Sequence, residues 1–155
     1  MRNTIIIFII SLIAVSCGKE KYTSAPQIKY KSVSPNTVSR GVIIGSPEIP
    51  VITLNITDAE GDLGFKTGKD TSYIYIKNLL INRLDSFVLP DIQSVATKNF
   101  QADIRINTFD ILRGSSPPRP RGKADTIYYQ IYVVDFKKNK SNVITTGDPI
   151  YYVTP

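Results

Sequence analysis

From Asp125 to Asp135 the chain alternates. Ile127, Tyr129, Ile131 and Val133 fall on one side of an extended backbone, and Tyr128, Gln130, Tyr132 and Val134 fall on the other. Successive side chains of a strand point to opposite faces, so a period of two predicts a β-strand with one face turned to a core. The period recurs in Val51–Thr57, where Ile52, Leu54 and Ile56 share a face, and again at Ala102, Ile104 and Ile106. Tyr73–Lys77 reads as a strand continuing towards Ile81, with Ser86–Leu89 placed to pair with it. Ile28 to Val33 reads as a first edge strand, Ser141–Thr145 as a return strand and Ile150–Val153 as the last. These faces must carry the stability, because a chain with one cysteine has no internal disulfide.

Between the strands the punctuation is dense. Pro35, Gly41, Gly45, Pro47 and Pro50 mark a loop-rich stretch with a brief apolar run at Val42–Ile44. Asp91–Phe100 has Ile92, Val95, Ala96 and Phe100 at helical spacing, with Asp91 placed as a cap; it reads as a short helix or an irregular crossover. Arg113–Lys123 is rich in proline and glycine, and no ladder runs through it. About seven short strands with turns at near-regular spacing predict an all-β chain built as an antiparallel β-sandwich, with a small barrel as the other solution. The expected division is residues 1–16 as a signal peptide, 17–25 as a tether and 26–155 as one domain.

The N-terminal assignment rests on Arg2, the apolar run Ile5–Val15 broken only by Ser11, and the small residues Ala14 and Ser16 before Cys17. A charged start, an apolar stretch and a small-residue junction mark a secretory signal, and the run falls short of the roughly 20 apolar residues that span a bilayer. The junction resembles the lipobox of bacterial lipoproteins. That resemblance implies that Cys17 is acylated, for example with palmitate, and becomes the mature N-terminus, placing the protein in the cell envelope, at the outer membrane, with the membrane as a partner through its lipid.

Two further segments carry a resemblance. Ile56-Thr57-Asp58-Ala59-Glu60-Gly61-Asp62-Leu63-Gly64 is similar to the D-x-D-G-D-x-G loop of small Bacteroidota envelope lipoproteins. Ile131 to Asn142 resembles their closing element, and that of bacterial immunoglobulin-like and cadherin-like modules: a hydrophobic strand, an Asp, and Gly-Asn-x-Ser-Asn. Glu60 stands for the middle Asp, and Lys138 stands where the glycine usually sits. The resemblance implies an immunoglobulin-like fold.

The acidic loop offers Asp58, Glu60 and Asp62 at alternate positions, with Gly61 and Gly64 permitting a tight backbone. Ca²⁺ takes about six to eight oxygen ligands, and clustered carboxylates repel unless a cation or base intervenes. The competing reading is a solvated turn in which Asp58 caps its own backbone. Asp135 extends the inward series Ile127, Tyr129, Ile131, Val133, and a buried carboxylate needs a partner. Either a cation shared with Asp58, Glu60 and Asp62 supplies it, or the turn Phe136–Lys140 does, through its amides or Lys137 or Lys140. The basic loop (Arg113, Arg119, Arg121, Lys123) has the guanidinium chemistry for an anionic glycan or lipid phosphate, set against a plain solvated loop. The tyrosines at 73, 75, 128, 129, 132, 151 and 152 offer a sugar-stacking platform or ordinary strand packing.

The chain has no histidine and no tryptophan, which removes imidazole bases, His–Ser pairs and His metal ligands. With Cys17 acylated no thiol nucleophile is left. The net charge of +6, or +5 without Arg2, is modest, and no nucleic-acid reading motif accompanies it. The expectation is a non-enzymatic structural or binding module, Ca²⁺-stabilised if the acidic loop takes a cation and otherwise without cofactor, meeting an envelope protein or glycan and no nucleic acid. The alternative is a carboxylate-based hydrolase of envelope glycans using two of Asp58, Glu60, Asp62 and Asp135.

Overall fold

The computed structural model describes residues 22–64, 71–90, 98–113 and 120–155. The fold is all-β. Its strands are β1 (Gln27–Ser34), β2 (Thr37–Ser39), β3 (Val51–Asp58), β4 (Tyr73–Asn78), β5 (Arg83–Val88), β6 (Phe100–Asn107), β7 (Ala124–Ile127), β8 (Tyr129–Val134), β9 (Ile144–Thr145) and β10 (Ile150–Val153). One helical turn, α1 (Phe109–Leu112), follows β6.

The strands form three sheets, ordered β1-β3-β6, β2-β10-β7 and β5-β4-β8-β9. Every pair is antiparallel except β2 with β10, which run parallel. Inward side chains of all three sheets meet in one core, including Ile28, Val38, Ile52, Leu54, Ile56, Ile74, Ile76, Ile127, Ile131 and Ile150. Burying an aliphatic side chain of this size contributes roughly 1.5–3 kcal/mol. The period of two therefore does here what it predicts: Ile52, Leu54 and Ile56 are fully buried, and so are Ile127, Tyr129, Ile131 and Val133.

The long alternating run differs from a single strand in one respect. Its buried face is continuous, but the ladder changes partners at Tyr128: β7 pairs with β10, and β8 with β4 and β9. At the break the Tyr128 carbonyl accepts the Leu79 N–H at 3.0 Å, and the Tyr129 N–H donates to Thr146 Oγ1 at 3.2 Å. Extended backbone kept through the switch preserves the phase, so one stretch of chain belongs to two sheets.

β4 ends at Asn78 rather than running on towards Ile81. The Asn78 side chain accepts the N–H groups of Leu80 and Ile81 at 2.9 and 3.4 Å, and Asn82 takes a left-handed φ of 59°. An Asn that bonds nearby amides offers the backbone a turn in place of the ladder. β5 then returns along β4 from Arg83, earlier than Ser86. β1 is an edge strand, as expected, with a bulge between Tyr30 and Ser32. The extra residue, Lys31, moves Val33 opposite Ile52 and onto the core side.

Two elements lie where the sequence shows no period. β2, in the proline- and glycine-rich stretch, is held by β10; Arg40, just beyond it, ion-pairs with Asp125 and sits 4.4 Å from the Tyr152 ring centroid. α1 buries Ile111 and Leu112. The run Val42–Ile44 ends on the surface, with Ile43 and Ile44 75% and 77% exposed. The expected helix or crossover at Asp91–Phe100 lies outside the described residues as far as residue 97, and Phe100 itself opens β6.

Candidate metal centre

β3 runs directly into the acidic loop. Asp58, its last residue, is fully buried. The left-handed φ of 69° at Gly61 turns the chain back, so that the Gly61 N–H donates to Asp58 Oδ1, as does the Asp62 N–H at 3.3 Å. One oxygen of Asp58 thus caps its own loop. The other, Oδ2, is buried with no hydrogen-bond partner. Fully buried Leu63 pins the loop to the core.

A second loop meets the first where β8 ends. The Phe136 N–H donates to the Asp62 carbonyl at 3.1 Å, which joins the two backbones. Asp135 is fully buried. Its Oδ1 accepts the Asn139 N–H and its Oδ2 the Asn139 Nδ2, both at 2.8 Å. The turn thus supplies Asp135 with an amide partner, the alternative to a shared cation, and with a side-chain donor that the sequence reading did not single out.

Asp58, Asp62 and Asp135 each present a carboxylate oxygen, and these atoms lie within 4.8 Å of one another. Oxygens bound to one Ca²⁺ ion, at about 2.4 Å each, lie no farther apart than this. Glu60 is exposed and lies outside the group. Asp62 has one described partner for its carboxylate, the exposed Lys137, ion-paired to Oδ2 with Nζ at 3.5 Å. Burial pushes the Asp58 carboxyl up to about 6, opposed by the Gly61 N–H and reinforced by the charge of Asp62. Burial, followed by the charge of Asp135, also raises Asp62, while Lys137 works against both. The arrangement concentrates three carboxylates, offset by backbone N–H groups on Asp58, Asn139 on Asp135 and Lys137 on Asp62, with Asp58 Oδ2 left over. These three carboxylates could hold a divalent cation, which takes oxygen ligands and completes its shell with water.

The rest of the second loop ties β1 in place. Ser141 Oγ accepts the Val133 N–H at 2.9 Å. Asn142 holds both backbone groups of Ile28, accepting its N–H at 2.8 Å and donating to its carbonyl at 2.9 Å. The Asn139-Lys140-Ser141-Asn142 run is therefore a set of clamps joining the sheet of β8 to that of β1.

The remaining candidates are dispersed. Arg113 is exposed beside a shallow pocket of about 260 Å³ that it lines with Gly41, Val42, Phe109, Leu112 and Tyr152. Arg121 and Lys123 are exposed near the C-terminal end of β10, where the Gly122 N–H meets the Thr154 carbonyl. Arg119 lies outside the described residues, as do Cys17 and the signal segment. Among the described residues no helix is long and apolar enough to cross a membrane. Tyr129 and Tyr152 are core residues. Tyr75 stacks on Tyr132 with centroids 4.7 Å apart and planes 10° apart, and Lys140 Nζ lies 4.0 Å from the Tyr132 centroid. Those two rings turn their faces to each other and to a lysine, which is packing rather than a flat sugar platform.

The chain matches no family model, and comparison with curated proteins and with solved structures gives no match.

Proposed function

We propose that this chain is a non-enzymatic module of the cell envelope. In this reading an immunoglobulin-like β-sandwich is attached to the outer membrane through lipid on Cys17, and Ca²⁺ bound by Asp58, Asp62 and Asp135 secures one end. One observation carries the metal part: carboxylates from two loops converge within 4.8 Å while the buried Oδ2 of Asp58 has no partner. An unpaired buried charge costs roughly several kcal/mol, and a cation shared by the three carboxylates would remove that cost for Asp58 Oδ2, while Asp135 already has Asn139. The anchoring part is supported by Arg2, the apolar run Ile5–Val15 and Cys17 in sequence.

Hydrolysis by this cluster is disfavoured on geometry. Asp58 and Asp135 are fully buried between loops. A glycosidase needs its two carboxyl groups on either side of a sugar, about 5–9.5 Å apart across an open cleft. The module's partner is then an envelope protein or glycan met by its surface. Titration calorimetry of Ca²⁺ into the mature protein tests the reading: wild type takes up one ion, and Asp62→Asn takes up none. Absence of binding to wild type at millimolar Ca²⁺ removes the metal from the account.

A further inference from the structure

We infer that the cation centre also fixes the segment through which the chain enters the fold, so that bound Ca²⁺ makes residues 22–25 part of the domain rather than the end of a loose tether. This rests on the cation reading above, and it adds a consequence that the site's three carboxylates do not imply by themselves.

Each of the two loops that supply carboxylates also holds a carbonyl of this segment. The Ala59 N–H, one residue past Asp58, donates to the Thr23 carbonyl at 3.1 Å. Asn139 Nδ2, which holds Asp135 Oδ2, also reaches the Ser24 carbonyl at 3.4 Å. Thr23 Oγ1 donates to the Ala25 carbonyl at 2.6 Å, giving the segment a defined bend. Ala59 is fixed from its other side by the Asn99 N–H, 2.9 Å from its carbonyl.

Tyr22, Thr23 and Ala25 are half-buried, Ser24 is exposed, and the first buried residue is Pro26. Two of the segment's carbonyls are thus held from the two loops, and the loops carry carboxylates that repel one another when no cation lies between them. A cation drawing Asp58, Asp62 and Asp135 together sets Ala59 and Asn139 where they meet Thr23 and Ser24. Coupling of this kind is reciprocal, so order in the segment also favours the cation. The consequence is one of reach. With residues 22–25 docked, the link from Cys17 to the domain is about five residues, at most roughly 18 Å; undocked, it is about nine, or roughly 30 Å.

Hydrogen exchange of the full mature protein, read by mass spectrometry with millimolar Ca²⁺ and with chelator, tests this. The expected result is that the Ala59 amide and peptides covering residues 22–28 exchange about tenfold slower with Ca²⁺, within the usual range of site coupling. Asp62→Asn should remove that difference while the β3 and β8 amides stay protected, which shows that the variant is folded. Asp62 touches neither Thr23 nor Ser24 through any described contact, so the loss reports the cation and not a broken clamp. If calorimetry shows Ca²⁺ bound and exchange at Ala59 and at residues 22–28 is unchanged, the coupling is wrong and the cation reading stands. If no Ca²⁺ binds, the cation reading fails and takes the coupling with it.

Discussion

Asn139 holds Asp135 at both carboxylate oxygens, by its backbone N–H and by its side-chain amide, each at 2.8 Å, and its carbonyl accepts the Asp135 N–H at 3.1 Å. Asp135 is thereby kept deep in the core end of β8, with its carboxylate presented to Asp58 and Asp62. Asn139→Ala removes the side-chain donor from a buried carboxylate and should cost about 1–3 kcal/mol. Asn139→Asp should cost more, since it puts another negative charge beside the cluster. Urea denaturation in chelator measures both, and equal midpoints for wild type and Asn139→Ala would show the clamp to be incidental.

The Asp58 carboxyl, raised to about 6 by burial, gives the cation-free protein a definite pH dependence. Its folded pKa lies above the ordinary 3.8, so the folded state holds the proton more tightly than the unfolded state. That contribution is fully present below about pH 4 and is lost as pH rises through about 6. In chelator, the melting temperature should therefore rise on going from about pH 7 to about pH 5, and Asp58→Asn should flatten the rise. With saturating Ca²⁺ the slope should reverse, because ligation needs the carboxylate ionised.

Lys138 has a left-handed φ of 68°, at the position where the envelope-lipoprotein resemblance places a glycine. A side chain is strained in that region and glycine is not. Lys138→Gly should stabilise the domain by about 0.5–1 kcal/mol, the strain relieved being partly offset by the freer unfolded chain. Chemical denaturation checks the sign, and a loss of stability would mean that the Lys138 side chain has a use of its own.

Much of this was legible in the alternation. Ile52, Leu54 and Ile56, and Ile127 to Val133, lie on the core side because strand geometry admits one answer for a period of two. The sheet change at Tyr128 was not legible, because the change keeps the phase and leaves no mark on the pattern. Strand β2 was hidden for another reason. Three residues carry no period, and Thr37–Ser39 is a strand only because β10 lies beside it. At the site, the spacing brought Asp58, Asp62 and Asp135 together on paper, with Glu60 beside them. It could not show that the turn at Gly61 folds Asp62 back onto Asp58 while Glu60 stays exposed and outside the group. Asn139 was missed because an amide between lysines reads as turn chemistry. Its position four residues after a buried Asp was the signal.

Cys17 is expected to carry the lipid that holds the mature protein at the membrane. Each buried CH₂ contributes about 0.8 kcal/mol, so two or more acyl chains hold firmly. Cys17→Ser should lower the attached mass and move the protein to the soluble fraction. Membrane retention at unchanged mass would contradict the anchor.

The melting temperature of the mature protein in millimolar Ca²⁺ and in chelator tests the central claim most directly. A ligand at a hundredfold excess over Kd adds about 2.7 kcal/mol, which for a domain of this size corresponds to a rise of about 10 °C. The account predicts that rise for wild type and its loss in Asp62→Ala and in Asp135→Ala. Superimposable wild-type curves would contradict it, leaving Asp135 as a partner of Asn139 alone and the acidic loop as an ordinary turn.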